Sequence, residues 1–373
     1  MEYSYITLND IFSPEELWVT ETLFKGYSNV SAAFTKEGEE QILNFAVRNG
    51  VAPLLYRKKE ISRLSPTLQS ALRNEYLKSL GRNTALMVIG DEIAKKLNSA
   101  GINVIFLKGS YLVRFVYYDS ALRPMSDLDI LVDESDAFDA YHLLNGKECK
   151  RDYLDRLSQH LPSFNYRGAS IEIHYRLFPV NIKYKLPVKR LLQCGHTDSE
   201  LNTLLFNTAH NLLYLTLHFY YTYKQGGVRL SWLYDLKFIV DNKGDELDEQ
   251  FFRDEVESLN LEKPVRLIFT LLTLLQSGSF FSLFYDKSCE SEAKDILKLF
   301  GLVSNRNIYD GYAYMYERIS NTPGLFNKIS FLKYLLLNDR TGKKRSFFKR
   351  LFYLIKNSLK VIIFKINSFL KVK

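Results

Sequence analysis

Cysteine is scarce in this chain, and its three copies, Cys149, Cys194 and Cys289, are scattered through 373 residues. That excludes a disulfide framework and any zinc-ligand spacing, and it points to a reducing compartment. The opening residues MEYSYITLNDIF have no basic segment followed by an apolar one, so no secretory signal is read there and a cytoplasmic protein is expected. The apolar run VRLIFTLLTLL, residues 265–275, is only about half of the roughly 20 residues a spanning helix needs, and it reads as a buried helix. Internal repeats, low-complexity linkers, a P-loop and a dinucleotide fingerprint are all missing.

No acidic residue occurs in the stretch after Asp339. Eleven of the 50 Lys and Arg fall there, so over the first 339 positions 39 basic residues face 42 acidic ones. The net charge of +8 therefore belongs to the tail, and the mildly acidic body gives no clear nucleic-acid partner. Within the tail, Lys349, Arg350, Lys356 and Lys360 collect on one helical arc and Leu351, Phe352, Ile355, Leu359 and Ile362 on the other. A basic amphipathic helix over residues 343–373 suits an anionic membrane surface, placing the protein peripherally at the inner face. Packing on the body, a protein partner and RNA are the competing readings.

What is present is a large apolar content, 46%, with 14% aromatic residues, enough to bury a sizeable core in two or three subdomains. Residues 1–100 read as helical. Ser13-Pro14-Glu15-Glu16 is a helix start, residues 39–49 form an amphipathic helix stopped at Gly50, and residues 83–100 carry Leu86, Ile89, Ile93 and Leu97 on one face. Residues 101–200 read as a mixed α/β core, 201–340 as a helical domain, and 341–373 as the tail. The helical domain opens with one long helix over residues 201–223, ended by Gln225-Gly226-Gly227, and continues with a second over 229–240.

Residues 102–133 carry the chemistry. A short apolar strand, 102–107, breaks at Lys108-Gly109-Ser110 into a helix over 111–118, and a second strand follows over 127–132. Alternation puts Asp127 and Asp129 on one face of that strand, about 7 Å apart at roughly 3.3 Å per residue. Two such carboxylates call for a hard divalent cation, and magnesium held with substrate phosphates fits. For Asp-x-Asp alone, an ordinary solvent-facing strand is the competing reading. A later strand, 169–177, places Glu172 and His174 on one face. Beside the first strand, Glu172 is a third metal ligand or a general base; elsewhere it is an exposed strand residue. His174 and Arg176 are read as lining.

These residues resemble the nucleotidyltransferase superfamily of the DNA polymerase β type. The shared features are a Gly-Ser turn at Gly109-Ser110, a helix, the pair Asp127 and Asp129, and Glu172 as third carboxylate. Leu107-Lys108-Gly109 with Arg123-Pro124-Met125-Ser126-Asp127-Leu128-Asp129 is more closely similar to its bacterial branch, nucleotidyltransferase family 5. Lys108 in place of a hydrophobic residue, and sixteen residues between Ser110 and Asp127, depart from the general pattern and agree with the branch.

The resemblance implies an α+β fold, with a small mixed sheet between helical regions. It implies transfer of a nucleoside monophosphate from an NTP to an acceptor, with two Mg²⁺ ions, Mn²⁺ being the alternative, held by Asp127, Asp129 and Glu172. Lys108, Gly109, Ser110, Arg123, His174, Arg176, His218, Arg229 and Asp235 are the expected nucleotide-site residues. By charge, Arg229 holds the triphosphate and Asp235 orients it or the acceptor. The competing reading makes Arg229 and Asp235 exposed or structurally paired, and His218 a core histidine. The branch's association with polysaccharide loci suggests an acceptor in surface-glycan metabolism. Two other classes stay open: a non-catalytic nucleotide binder or assembly protein, and a toxin-type enzyme that modifies tRNA or protein.

Overall fold

The computed structural model describes residues 8–31, 33–149, 157–302 and 308–337; the basic tail lies outside them. The first layer is helical. α1 (Pro14–Phe24) begins with a capping box in which Ser13 Oγ accepts from the Glu16 amide while the Glu16 carboxylate accepts from the Ser13 amide. α2 (Lys36–Arg48) ends where Gly50 takes a left-handed turn, φ 69°. α3 (Ala52–Tyr56) then leads to α4 (Pro66–Ser99), a single 34-residue helix capped by Ser65. The sequence signalled only the second half of α4, because its exposed first half has few buried apolar positions, Leu68 and Leu72 among them.

The sheet follows, in the order β1-β2-β4-β3. β1 (Ile105–Phe106) runs antiparallel to β2 (Leu128–Leu131), β2 runs parallel to β4 (Ala169–His174), and β3 (Phe164–Tyr166) closes the edge antiparallel to β4. The α+β class and the mixed sheet agree with expectation. All four residues of β2 are buried, so both of its faces are covered, unlike the half-exposed strand read from alternation. α5 (Lys108–Phe115) connects β1 to β2 through a loop, and α6 (Ala137–Asn145) lies between β2 and β3.

After α7 (Val188–Gln193), the expected long helix over 201–223 is instead a strand and a shorter helix. β5 (His196–Asp198) and β6 (Thr203–Leu205) pair as a hairpin whose turn uses Asn202 at φ 52°. β6 reaches the sheet's edge, the Leu204 amide donating to the Val104 carbonyl. Only at Asn207, whose side chain accepts from the His210 amide, does α8 (Thr208–Lys224) begin. Apolar content alone did not separate strand from helix here, since residues 201–206 suit either.

α8 is apolar around nearly its whole circumference, and it is buried accordingly among α9 (Leu230–Lys243), α10 (Glu249–Ser258), α11 (Glu262–Leu274) and α14 (Ile308–Asn321). α11 is the buried helix expected of the 265–275 run, and among the described residues no helix is long and apolar enough to cross a membrane. α12 (Ser279–Ser282), α13 (Glu290–Gly301) and α15 (Leu325–Leu337) complete the helical part. Buried apolar side chains from Phe12 to Tyr314 form one contiguous cluster running through sheet and helices alike. Each fully buried Leu, Ile or Phe contributes about 1.5–3 kcal/mol, so the sheet's few strands are held mainly by the helices over them.

Candidate active site

The parallel pairing of β2 and β4 builds the site. It sets Asp129 directly across from Glu172, and Leu131 across from His174. Single atoms of Asp129, Glu172 and His174 lie within 4.8 Å of one another, close enough to ligate a common ion. His174 Nε2 sits between the two acids, 2.9 Å from Asp129 Oδ1 and 3.6 Å from Glu172 Oε2. Two carboxylates and an imidazole are a donor set for Mg²⁺, with Mn²⁺ served better by the nitrogen.

Lys108 supplies the opposing charge. It is the first residue of α5, at φ 47°, a left-handed conformation that a lysine adopts only at a cost. The Lys108 ammonium lies 2.8 Å from Asp129 Oδ1. Burial works against both charges, yet each stabilises the other: Asp129 raises the Lys108 pKa, and Lys108 with His174 holds Asp129 well below the usual carboxylate range. The His174 bond likewise lowers Glu172. Ser110 is turned inward, its hydroxyl 2.6 Å from the Leu107 carbonyl and 2.9 Å from that of Asp129, so it ties α5 to β2. Gly109 is needed for close approach: a Cβ there would meet Arg123 Nη1 at 3.0 Å and Met125 Cγ at 3.1 Å.

Asp127 lies one residue before β2, half-buried, with Ser126 Oγ donating to it at 3.2 Å. It is not part of the three-residue cluster, in which His174 takes the third place. Burial, followed by the charge of Asp129, raises its pKa, so it is the acid of this site that most wants a cation. Arg229 stands nearby at the start of α9, exposed, over the Trp232 ring at 5.6 Å, and in no ion pair among the described residues. Burial of its stem lowers its pKa, with Arg123 adding and Asp127 opposing.

The remaining expected residues divide. Asp235 does not face Arg229. It is buried on α9 and takes a forked ion pair from Arg123, with Nη2 to Oδ2 at 3.1 Å and Nε to Oδ2 at 3.2 Å, while the Tyr117 hydroxyl donates to Oδ1 at 2.9 Å. Arg123 therefore locks the loop before Asp127 onto the helical part, and its own fork is filled. Arg176 points away too, pairing with Glu134 at 2.5 Å. His218 does face the site: burial, then the Lys108 charge, brings its pKa down to about 3, so it is neutral there.

Tyr214 and His160 escaped the sequence reading. Tyr214 is buried with its hydroxyl unpartnered among the described residues, and it feels the charges of Lys108, Asp129 and Glu172. A buried polar atom of that kind calls for a water or ion, as does His174 Nδ1, which also has no partner among the described residues. Tyr214, His218 and Thr222 recur at four-residue intervals on one face of α8, which is the available signal. His160, whose ring lies 5.2 Å from that of His174, follows a stretch with no periodicity and gave none.

Beside the cluster opens a cavity of about 580 Å³, with Lys108, His160, His174, His218, Thr222 and Arg318 in its wall.

Fold and site together define a class: an α+β protein in which a small mixed sheet offers a carboxylate–imidazole cluster, suited to a divalent cation, beneath a helical cover. Residues 35–276 match the family model described as uncharacterised nucleotidyltransferase, well over half of the chain, and the protein belongs to that family. No curated protein and no solved structure matches the chain.

Proposed function

We propose that the protein transfers a nucleoside monophosphate from an NTP to an acceptor hydroxyl, releasing pyrophosphate. The observation that carries this reading is the in-register pair Asp129 and Glu172, bridged by His174, in a chain of nucleotidyltransferase family. Asp129 and Glu172 would hold the metal, with Asp127 beside them at the mouth of the site. Mg²⁺ there, in one or two ions, or Mn²⁺, supplies neutralisation of the triphosphate and of the charge developing at phosphorus. His174 orients Asp129 between its two partners. Lys108, 2.8 Å from Asp129, would add positive charge beside the triphosphate. Gly109 lets the α5 N-terminus lie close to the phosphates, while Ser110 fixes that turn to β2. Arg229, exposed beside Asp127, is the triphosphate cation, and neutral His218 lines the site. Asp235 acts through Arg123, by holding the Asp127 loop. A glycan-related acceptor remains the proposal of the family resemblance.

The test is calorimetric titration of non-hydrolysable NTP analogues, with and without Mg²⁺ or Mn²⁺, into wild type, Asp129→Asn and Glu172→Gln. Metal-dependent binding of one nucleotide that both variants lose supports the reading and names the base. No binding to wild type under either metal removes it.

One observation favours a second reading, a nucleotide binder without transfer: the Lys108 ammonium already satisfies Asp129. Pyrophosphate release in the presence of bound NTP and metal rejects that alternative; tight binding with no release under any acceptor supports it. Membrane contact through residues 343–373 is also proposed, and exposed Leu325, Phe326 and Ile329 on α15 lead toward that segment. Flotation with anionic but not neutral vesicles is expected, and loss of residues 343–373 should abolish it.

A further inference from the structure

We infer that Asn83 of α4, backed by Tyr76 on the same helix, is the positioning residue for Asp127: it fixes the loop that brings this carboxylate to the cluster, and so sets how tightly the site takes its divalent cation. The inference rests on the transferase reading and concerns the same site. Asp129 and Glu172 need no such tether, because both lie within the paired part of β2 and β4. That pairing begins at Leu128, and Asp127 stands just outside it. The position of Asp127 is therefore inherited from the chain before it.

Residues 116–127 form that approach, irregular apart from one short turn at Ser120–Leu122. Irregular buried backbone relies on side chains for its hydrogen bonds. Asn83 is fully buried and serves three backbone groups at once. Its Nδ2 donates to the Ser120 carbonyl and, at 2.8 Å, to the Arg123 carbonyl, while its Oδ1 accepts from the Met125 amide at 3.2 Å. Two donors and one acceptor thus meet two carbonyls and one N–H. A primary amide makes that match; Asp and Leu, the side chains nearest to it in shape, do not.

Met125 is two residues from Asp127, and the Pro124 carbonyl beside it accepts from Arg123 Nη1 at 3.0 Å. Since Asp235 holds the same guanidinium, α4 grips the approach from one side and α9 from the other. Tyr76, two turns before Asn83, adds a second tether through its hydroxyl, which donates to Asp119 Oδ2 at 2.9 Å. The grip has something to resist. The charge of Asp129 acts against ionisation of Asp127, so a loosened loop lets this carboxylate move away from its neighbour and out of reach of a shared cation.

The experiment follows calorimetric binding of a non-hydrolysable NTP analogue across a Mg²⁺ series, in wild type, Asn83→Ala, Asp127→Asn and the double variant, with folding checked by circular dichroism. For Asn83→Ala the Mg²⁺ concentration giving half of the full enhancement should rise by about tenfold or more, the scale on which loss of a supporting residue weakens a metal site. At saturating Mg²⁺ its nucleotide affinity should match that of wild type, which a general structural lesion would not allow. The double variant should bind as Asp127→Asn does alone, because both changes act through one carboxylate. An unmoved midpoint in either single variant, a loss of affinity that saturating Mg²⁺ does not restore, or a double variant weaker than Asp127→Asn overturns the inference. Where Asn83→Ala does not fold, Tyr76→Phe decides: it keeps the ring and removes only the hydroxyl, its midpoint should rise in the same direction, and an unmoved one overturns the inference. Failure of the transferase reading looks different: wild type then binds no nucleotide at any Mg²⁺ concentration, and the inference falls with it.

Discussion

Asp235→Asn is the substitution whose cost follows most directly from the geometry. The native carboxylate is 1% exposed and receives the Arg123 fork at 3.1–3.4 Å together with the Tyr117 hydroxyl at 2.9 Å. Burial opposes the Arg123 charge, but Asp235 outweighs it and keeps the guanidinium's pKa above its usual value. The amide keeps the volume and removes the countercharge, so a charged guanidinium is left in a protein interior. Removing one partner of a buried pair costs about 3–5 kcal/mol. At about 2–4 °C per kcal/mol, the melting temperature should drop by about 6–20 °C, toward the lower end for a chain this long. Thermal melts followed by circular dichroism give the shift directly. The companion is Arg123→Met with Asp235→Asn, which removes the stranded charge while the carbonyl of the introduced amide still accepts from Tyr117. It should recover at least half of the loss. A single variant within about 1 kcal/mol of wild type, or a double variant no more stable than the single, refutes the reasoning.

Three further outcomes are expected. His218 titrates near 3 when folded and near 6.5 when unfolded, so between pH 6.5 and 4.5 only the unfolded chain takes up its proton and stability falls as the pH falls. At about 1.4 kcal/mol per pH unit, reduced because the ring is only half-buried, His218→Phe should shrink the loss over that window by about 1–2 kcal/mol in urea titrations; equal losses in both proteins contradict this. Gly90→Val should cost about 1–3 kcal/mol, because a Cβ there meets Arg114 Nη2 at 2.7 Å and the Phe106 ring at 3.3 Å where α4 crosses the sheet; an unchanged denaturation midpoint would show that α4 shifts freely. Ser13→Ala should cost about 0.5–2 kcal/mol through loss of the α1 cap, and a protein as stable as wild type would mean that the Glu16 half of the box suffices.

Much of this protein is local, and what is local was legible. The start of α1 is written in Ser13-Pro14-Glu15-Glu16, the end of α2 in Gly50, and the face of β4 in Ile171, Ile173 and their alternation with Glu172 and His174, because caps, turns and period-two patterns depend on neighbours in the chain. The Asp129 and Glu172 candidates came from the same short-range signals. Which strands lie side by side does not. Asp129 faces Glu172 only because β2 and β4 pair in parallel, a choice made by the helices covering both sheet faces. Tertiary packing alone decided the partner of Asp235, which six residues of sequence pointed toward Arg229 and the fold gave to Arg123. The same packing set Lys108 on Asp129 through a left-handed turn, brought Tyr214 and His160 to the cluster, and split residues 201–224 into a strand and a helix. Sequence alone marked many of the local elements, the candidate acids and the charge of the tail. Pairing register, buried counterions and the cavity belong to contacts between residues far apart in the chain, where burial energy summed over the whole core outweighs any local preference.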